Sequence, residues 1–294
     1  MRDFRFGFTL GTHYCLDELA TTCRTAEGYG FDLALAVDHL WPNRASPFQS
    51  TLAATMATER MSAGTFVLNT GFWNPTLLAR EVATAVRLSG GRFELGLGAG
   101  IVKSQFTDAG FPFGTLDERM DLLTECIDRL EELLAGEENL VRPPLLVGGT
   151  SDRAIRLGVE RADIMSFGGR FQVPGQPFGT LRILTGEETA ERAEFFRSAA
   201  GARYDDIEFN AFVIGVERTD DREAAAARIA DEDPGDLTIE EALTTPFLLI
   251  GTEEEIADQL RSHRERYGFT SFTVQRPHME LLGPSIRLLS MSRA

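Results

Sequence analysis

Short apolar runs alternate along most of this 294-residue chain with longer stretches whose apolar positions recur at helical spacing. Runs at Phe4–Leu10, Leu33–Val37, Gly64–Asn69, Phe93–Leu97, Leu145–Val147, Ile164–Phe167, Ile207–Val216 and Phe272–Gln275 read as strands. Asp17–Tyr29, Pro47–Thr58, Thr76–Leu88, Leu116–Leu134, Asp152–Arg161, Glu187–Ala199, Asp221–Ile229 and Glu253–Arg266 read as helices, with a last one near Pro284–Leu289. Ser46 is a candidate N-cap, because Pro47 suits the first helical position. Each of the eight strands is followed by at least one helix, which predicts parallel βα units. Eight units in this length predict an α/β fold, a closed (β/α)8 TIM barrel. The alternative is an open, doubly wound sheet. That fold would prefer a glycine-rich fingerprint after strand one, and TLGTHYCL is not one. Gly100–Thr115 and Gly168–Gly186 read as long loops inserted at the C-terminal face, of the kind that form lids or binding loops. Nothing resembles a linker, so residues 1–294 read as a single domain.

Barrel active sites lie at the C-terminal ends of the strands, so the residues that follow each strand are the candidates. FDLALAVDHLWPN, residues 31–43, runs apolar to Val37 and then stops on Asp38 and His39. Two titratable side chains at the end of a buried strand are costly unless they have partners or a task. A histidine near its reference pKa of about 6.5 exchanges protons at neutral pH, and Asp38 is placed either to orient its ring or to accept a backbone N–H. Strand one offers His13, and strand three offers Asn69, Thr70 and Trp73. Trp41 and Trp73 are assigned to the substrate side, where aromatic groups line a ligand mouth, with His13 as an accessory polar group. The opposite arc carries glycine turns: Gly98, Ala99 and Gly100, then Gly148 and Gly149, then Gly168 with Arg170. Three such turns on neighbouring strands let backbone N–H groups approach a flat, phosphorylated cofactor. A single one would signify only a tight βα turn.

Charge and composition narrow the partners. Forty-five acidic against 29 basic residues leave a net charge of −16, which excludes non-specific binding to nucleic acid or to anionic membranes. No apolar run approaches the roughly 18–20 residues of a membrane span. The opening MRDFRFGFTL is not a signal peptide, so a cytoplasmic protein is expected. Cys15, Cys23 and Cys126 then read as free thiols. Four scattered histidines give no metal site. Lys103 is the only lysine, a mark of a GC-rich genome.

Several segments resemble the luciferase-like monooxygenase superfamily: AEGYGFDLALAVDHL (26–40), LLAREVATAVRLSGGRFELGLGAG (77–100), PPLLVGGTSDRAIRLGVERAD (143–163) and LLIGTEEEIADQLRSHRERYGFTSFTV (248–274). The resemblance is closest to the branch that uses the deazaflavin coenzyme F420, and the arginine-rich composition fits an actinobacterium-like source. It implies a (β/α)8 barrel with the deazaflavin over the mouth, and often a homodimer built on barrel helices. It also implies a bulge after strand three, often with a non-prolyl cis peptide, near Leu68–Asn69–Thr70. Backbone at Ala99–Gly100, Gly148–Gly149 and Gly168 would hold ring, ribityl chain and phosphate, the bulge at Asn69 and Thr70 would support the back of the ring, and Asp38 would contact the cofactor. Asp38 and His39 match the Asp-His pair of F420-dependent sugar-phosphate dehydrogenases, in which the histidine serves near the hydride-transfer centre. Those enzymes carry an acidic residue where this chain has Ile101, and phosphate-binding lysines that it lacks, so a less polar small-molecule substrate than glucose 6-phosphate is implied. Three functions are compared: an F420-dependent oxidoreductase, an FMN-dependent monooxygenase supplied by a partner reductase, and a cofactor-binding protein without turnover.

Overall fold

The computed structural model describes residues 3–12, 15–173, 175–177 and 179–291. Its eight apolar runs form parallel strands: β1 (Arg5–Thr9), β2 (Leu33–Ala36), β3 (Ser62–Thr65, resumed at Leu68–Asn69), β4 (Phe93–Gly98), β5 (Leu145–Gly148), β6 (Ile164–Phe167), β7 (Glu208–Val213) and β8 (Ser271–Gln275). They neighbour one another in the order β3-β2-β1-β8-β7-β6-β5-β4, and β3 also pairs with β4 through Ala63 opposite Phe93, which closes the ring. The fold is therefore the expected (β/α)8 barrel. Helices α1 (Leu16–Tyr29), α2 (Pro47–Ala57), α3 (Pro75–Leu88), α4 (Lys103–Asp108), α5 (Leu116–Ala135), α6 (Asp152–Arg161), α7 (Gly186–Ala200), α8 (Arg222–Glu232), α9 (Ile239–Thr244), α10 (Glu253–Tyr267) and α11 (Arg276–Met291) complete it.

The strands read as continuous apolar runs because both faces are covered, by helices outside and by other strands' side chains within; every residue of β2 and β4 is buried. Ser46 is the N-cap of α2 and Pro47 opens the helix, although the Ser46 hydroxyl makes no cap bond. At the strands' N-terminal ends the lumen is plugged by charge. Arg5 on β1 reaches Glu94 on β4 at 2.5 Å and Glu208 on β7 at 2.8 Å. Above them, Asn210 on β7 accepts from Ser166 of β6 at 2.8 Å and donates to Ser271 and Thr273 of β8, both at 3.0 Å. Two non-adjacent carboxylates sharing one arginine, under a satisfied amide network, fill the barrel and leave its other end for chemistry.

The structure departs from the sequence expectations in the connections, all after strand C-terminal ends. The loop after β4 contains α4, and the loop after β6 contains an antiparallel hairpin, Arg170–Gln172 with Leu181–Ile183. The run Ile207–Val216 is two strands: β7 ends at Val213, and Gly215–Arg218 pairs outside the barrel with Leu248–Gly251. The last helix starts at Arg276, well before Pro284. The break in β3 carries a non-prolyl cis peptide at Phe66–Val67, earlier than the Leu68–Asn69–Thr70 position expected for it. Among the described residues no helix is long and apolar enough to cross a membrane.

Arg5→Met would leave Glu94 and Glu208 facing each other without a cation. Breaking a buried pair costs about 3–5 kcal/mol; because Arg5 keeps some solvent contact, a loss of about 2–3 kcal/mol is expected, read as a lower urea midpoint at unchanged slope.

Candidate functional site

β2 ends at Ala36, and the next turn brings Asp38 and His39, both half-buried, to the C-terminal mouth of the barrel. Asp38 is held first. Its Oδ2 accepts from the backbone N–H of Asn69 at 3.1 Å and from Trp73 Nε1 at 2.9 Å. Burial pushes its carboxyl above the ordinary range, against the pull of those two donors. Of the two roles expected for Asp38, the structure shows the acceptance of a backbone N–H: among the described residues no hydrogen bond joins Asp38 to His39, and Asp38 ties β2 to the end of β3. His39 lies flat on the Trp41 indole, ring centroids 4.1 Å apart, and its Nδ1 sits 3.2 Å from Oε1 of Gln105. Burial lowers the His39 pKa below its ordinary value, which favours the neutral ring.

Gln105 is the residue that the sequence reading missed. It lies on α4, inside a segment read as loop, and it is buried. Its neighbour Phe106 fixes α4 between Phe72 and Phe113, both at 5.0 Å. Arg119 stacks on Phe113 and donates to the carbonyls of Gly100 and Gly114, so both ends of the insertion are held. An amide in IVKSQFTD carries no charge or periodicity that would have marked it.

The glycine arc divides into two kinds. At Gly98 an added Cβ would lie 2.5 Å from Val67, and at Gly100, where φ is +74°, it would lie 2.4 Å from the Asn69 amide. The chain's own packing explains both. Gly149 is similar: its Cβ would meet Ala154 at 2.8 Å, and its N–H already donates to Ser166 O at 3.0 Å. That N–H is not free for a phosphate. Gly148 and Gly168 differ. A Cβ would make only ordinary contact at Gly148 and would meet nothing within 4 Å at Gly168. Half-buried Phe66 and Phe212 lie across the lumen from each other, ring centroids 5.3 Å apart. Open backbone on one arc and a partly exposed aromatic pair beside it suit a flat ring with a polar tail.

Other predicted residues fall differently. Asn69 and Thr70 face inward: the Asn69 side chain accepts from Gly71 N at 3.2 Å, and the Thr70 hydroxyl donates to Gly98 O at 3.1 Å. Ala99 is half-buried against the core. Trp73, assigned to substrate, has its N–H committed to Asp38 and its ring against Phe48 at 5.4 Å. Trp41 and Ile101 are exposed, at 44% and 62%, and remain available to a ligand. Arg170 is exposed at the start of the hairpin. His13 lies outside the described residues. His263 is a core side chain beside Tyr267, its pKa lowered to about 4 by burial, and His278 accepts from Val216 N at 3.4 Å. Among the described residues no three His, Cys, Asp or Glu side chains gather as metal ligands.

The family model for luciferase-like monooxygenases matches residues 4–231. The chain belongs to the luciferase-like monooxygenase family. Among curated relatives, an F420-dependent glucose-6-phosphate dehydrogenase from Gordonia bronchialis is 32% identical over 41% of this chain and 38% of its own. A 4-hydroxyprotoasukamycin monooxygenase from Streptomyces nodosus subsp. asukaensis is 30% identical over 35% of this chain and 27% of its own. The matches thus span less than half of either relative's length. Among solved structures, an F420-dependent secondary alcohol dehydrogenase, determined with an F420-acetone adduct, superposes with a TM-score of 0.74 at 16% identity over 97% of both chains. An EDTA monooxygenase from Chelativorans sp. BNC1 superposes equally, TM-score 0.74, at 14% identity over 99% of this chain and 94% of that one. These likenesses establish the fold of this family member.

Asp38→Ala would strand the Asn69 N–H and Trp73 Nε1–H beneath the mouth. With about 1–3 kcal/mol for each unpaired buried donor, partly regained through water, a destabilisation of about 2–3 kcal/mol is expected from urea unfolding. Asp38→Asn, which keeps an acceptor oxygen, should lose about half as much.

Proposed function

We propose that this protein is an F420-dependent oxidoreductase that moves a hydride between the deazaflavin and a small, weakly polar organic substrate, with His39 handling the accompanying proton. The observation that carries the reading is the His39 imidazole at the barrel mouth: half-buried, stacked on Trp41 and met at Nδ1 by Gln105, with burial disfavouring its charged form. The deazaflavin, when bound, supplies a two-electron hydride acceptor or donor. The rest falls to the chain. Phe66 and Phe212 offer an apolar surface to a ring; Gly148 and Gly168 leave room for backbone approach, and Arg170 offers a cation to a phosphate. Trp41 and Ile101 give the substrate side an apolar wall, which suits an alcohol or ketone better than a sugar phosphate. As a C–H hydride leaves an alcohol carbon, the lone pair of a neutral His39 takes the hydroxyl proton and a carbonyl results; the reverse reaction returns both.

A flavin-dependent reading is supported by the equal superposition on a monooxygenase; there a partner reductase would supply reduced FMN, and oxygen would be consumed. On either reading the enzyme works in the cytoplasm on a small molecule, and a second copy of the chain is its expected partner.

The test is anaerobic incubation with oxidised F420 and a panel of small secondary alcohols, following the loss of deazaflavin absorbance. Turnover without oxygen is expected. His39→Ala should slow it by about 10²–10⁴-fold while cofactor affinity stays within a few-fold. Because the His39 pKa is lowered from about 6.5, the rate should hold at neutral pH and fall on acidification below that value, as protonation removes the acceptor. Oxygen-dependent turnover with reduced FMN and none with F420 would overturn the reading.

A further inference from the structure

The His39 ring touches three kinds of neighbour. Trp41 covers a face, the Asp38 carboxylate and the Arg44 guanidinium act on it from the same turn, and Gln105 meets its edge at Nδ1. Asp38 favours the charged ring and Arg44 opposes it. Asp38 is tied down elsewhere, by Asn69 N and Trp73 Nε1, and Arg44 lies over the Trp41 ring, 6.0 Å from its centroid. Among the described residues, the one side chain in hydrogen-bond contact with the imidazole is the Gln105 amide, at 3.2 Å.

Gln105 is an expensive choice at its position. It is 3% exposed, and its Nε2 is buried without a partner among the described residues. A leucine would pack as well beside Phe106 and leave no unpaired amide nitrogen. The surrounding insertion is built to hold this residue still. Phe106 is wedged between Phe72 and Phe113, and Gly71 has no side chain where a Cβ would strike Phe106 at 2.5 Å.

We infer that Gln105 is the positioning residue for His39: its amide oxygen accepts from Nδ1–H and so fixes the neutral ring in one tautomer, with the lone pair on Nε2. The chemistry of the partner matters. A carboxylate at this position would also accept from Nδ1–H, but it would stabilise the imidazolium and leave Nε2 protonated at neutral pH. A neutral amide fixes the tautomer without adding the charge. His39 therefore begins a catalytic cycle as a proton acceptor. This consequence rests on the function proposed above and sharpens it, favouring oxidation of a C–OH group by hydride loss. The positioning itself is a property of the ring and requires no cofactor.

Nitrogen NMR of ¹⁵N-histidine-labelled protein tests it directly, with His39 assigned by the signal lost in His39→Asn. Across a pH titration the wild-type neutral ring should show Nδ1 protonated and Nε2 bare. Gln105→Glu should keep that tautomer and raise the His39 midpoint by about one pH unit or more. Gln105→Leu should release the ring to the Nε2–H form. Should a variant fail to fold, the wild-type tautomer alone decides. A wild-type neutral ring protonated on Nε2, or a midpoint and tautomer indifferent to both folded variants, would overturn the inference. Because no cofactor or substrate is present, a failure of the F420 reading would leave these spectra untouched.

Discussion

One oxygen of Asp38 takes two hydrogen bonds, from the Asn69 N–H at 3.1 Å and from Trp73 Nε1 at 2.9 Å. Those bonds join the turn after β2 to the far side of the break in β3, and much of the mouth depends on them. The Asn69 amide fills the space that Gly100 leaves, so the turn after β4 can follow close behind. Arg119 grips that turn at the Gly100 carbonyl, and α4 then presents Gln105 to His39. A carboxylate that sequence logic places beside the histidine as its orienter thus acts one step back, by fixing the frame in which a neutral amide does the orienting. Burial raises the Asp38 pKa and lowers that of His39. Both shifts disfavour charge at the mouth, which suits a hydride transfer that needs an uncharged proton acceptor and a poorly hydrated site.

The two ends of the barrel use opposite electrostatics. The N-terminal end is plugged by Arg5 between two largely buried carboxylates. The C-terminal end has its exposed aromatic and glycine surfaces together with the weakly basic ring of His39. The insertions that distinguish this chain from a bare barrel all follow strand C-terminal ends, so they build the mouth and leave the plug alone. Stability and function are in this way assigned to different layers of the same strands.

The barrel was legible in the sequence because each strand is a short apolar run set between amphipathic helices, a local signal repeated eight times. His39 and Asp38 were legible because polar groups ending an apolar run are conspicuous. What was not legible depends on contacts between distant residues. α4 is six residues long and is held by Phe72 and Phe113, not by its own propensity. The partners of Asp38 lie 31 and 35 residues away, so nothing near Asp38 announces that it is already engaged. Ile207–Val216 looked like one strand because the apolar run does not stop where the chain leaves the barrel at Ile214, whose N–H turns to Phe247 O at 2.8 Å. Glycine turns read alike along the chain, yet at Gly98, Gly100 and Gly149 the protein itself occupies or uses the space, and at Gly168 nothing does.

The central claim is that the mouth receives a deazaflavin. Its most direct test is a pair of fluorescence titrations of the purified protein, one with F420 and one with FMN. Micromolar or tighter binding of F420 and at least tenfold weaker binding of FMN are expected, with F420 binding weakened when Gly168→Val fills the open arc. Tight binding of FMN with weak binding of F420, or F420 binding indifferent to Gly168→Val, would contradict it.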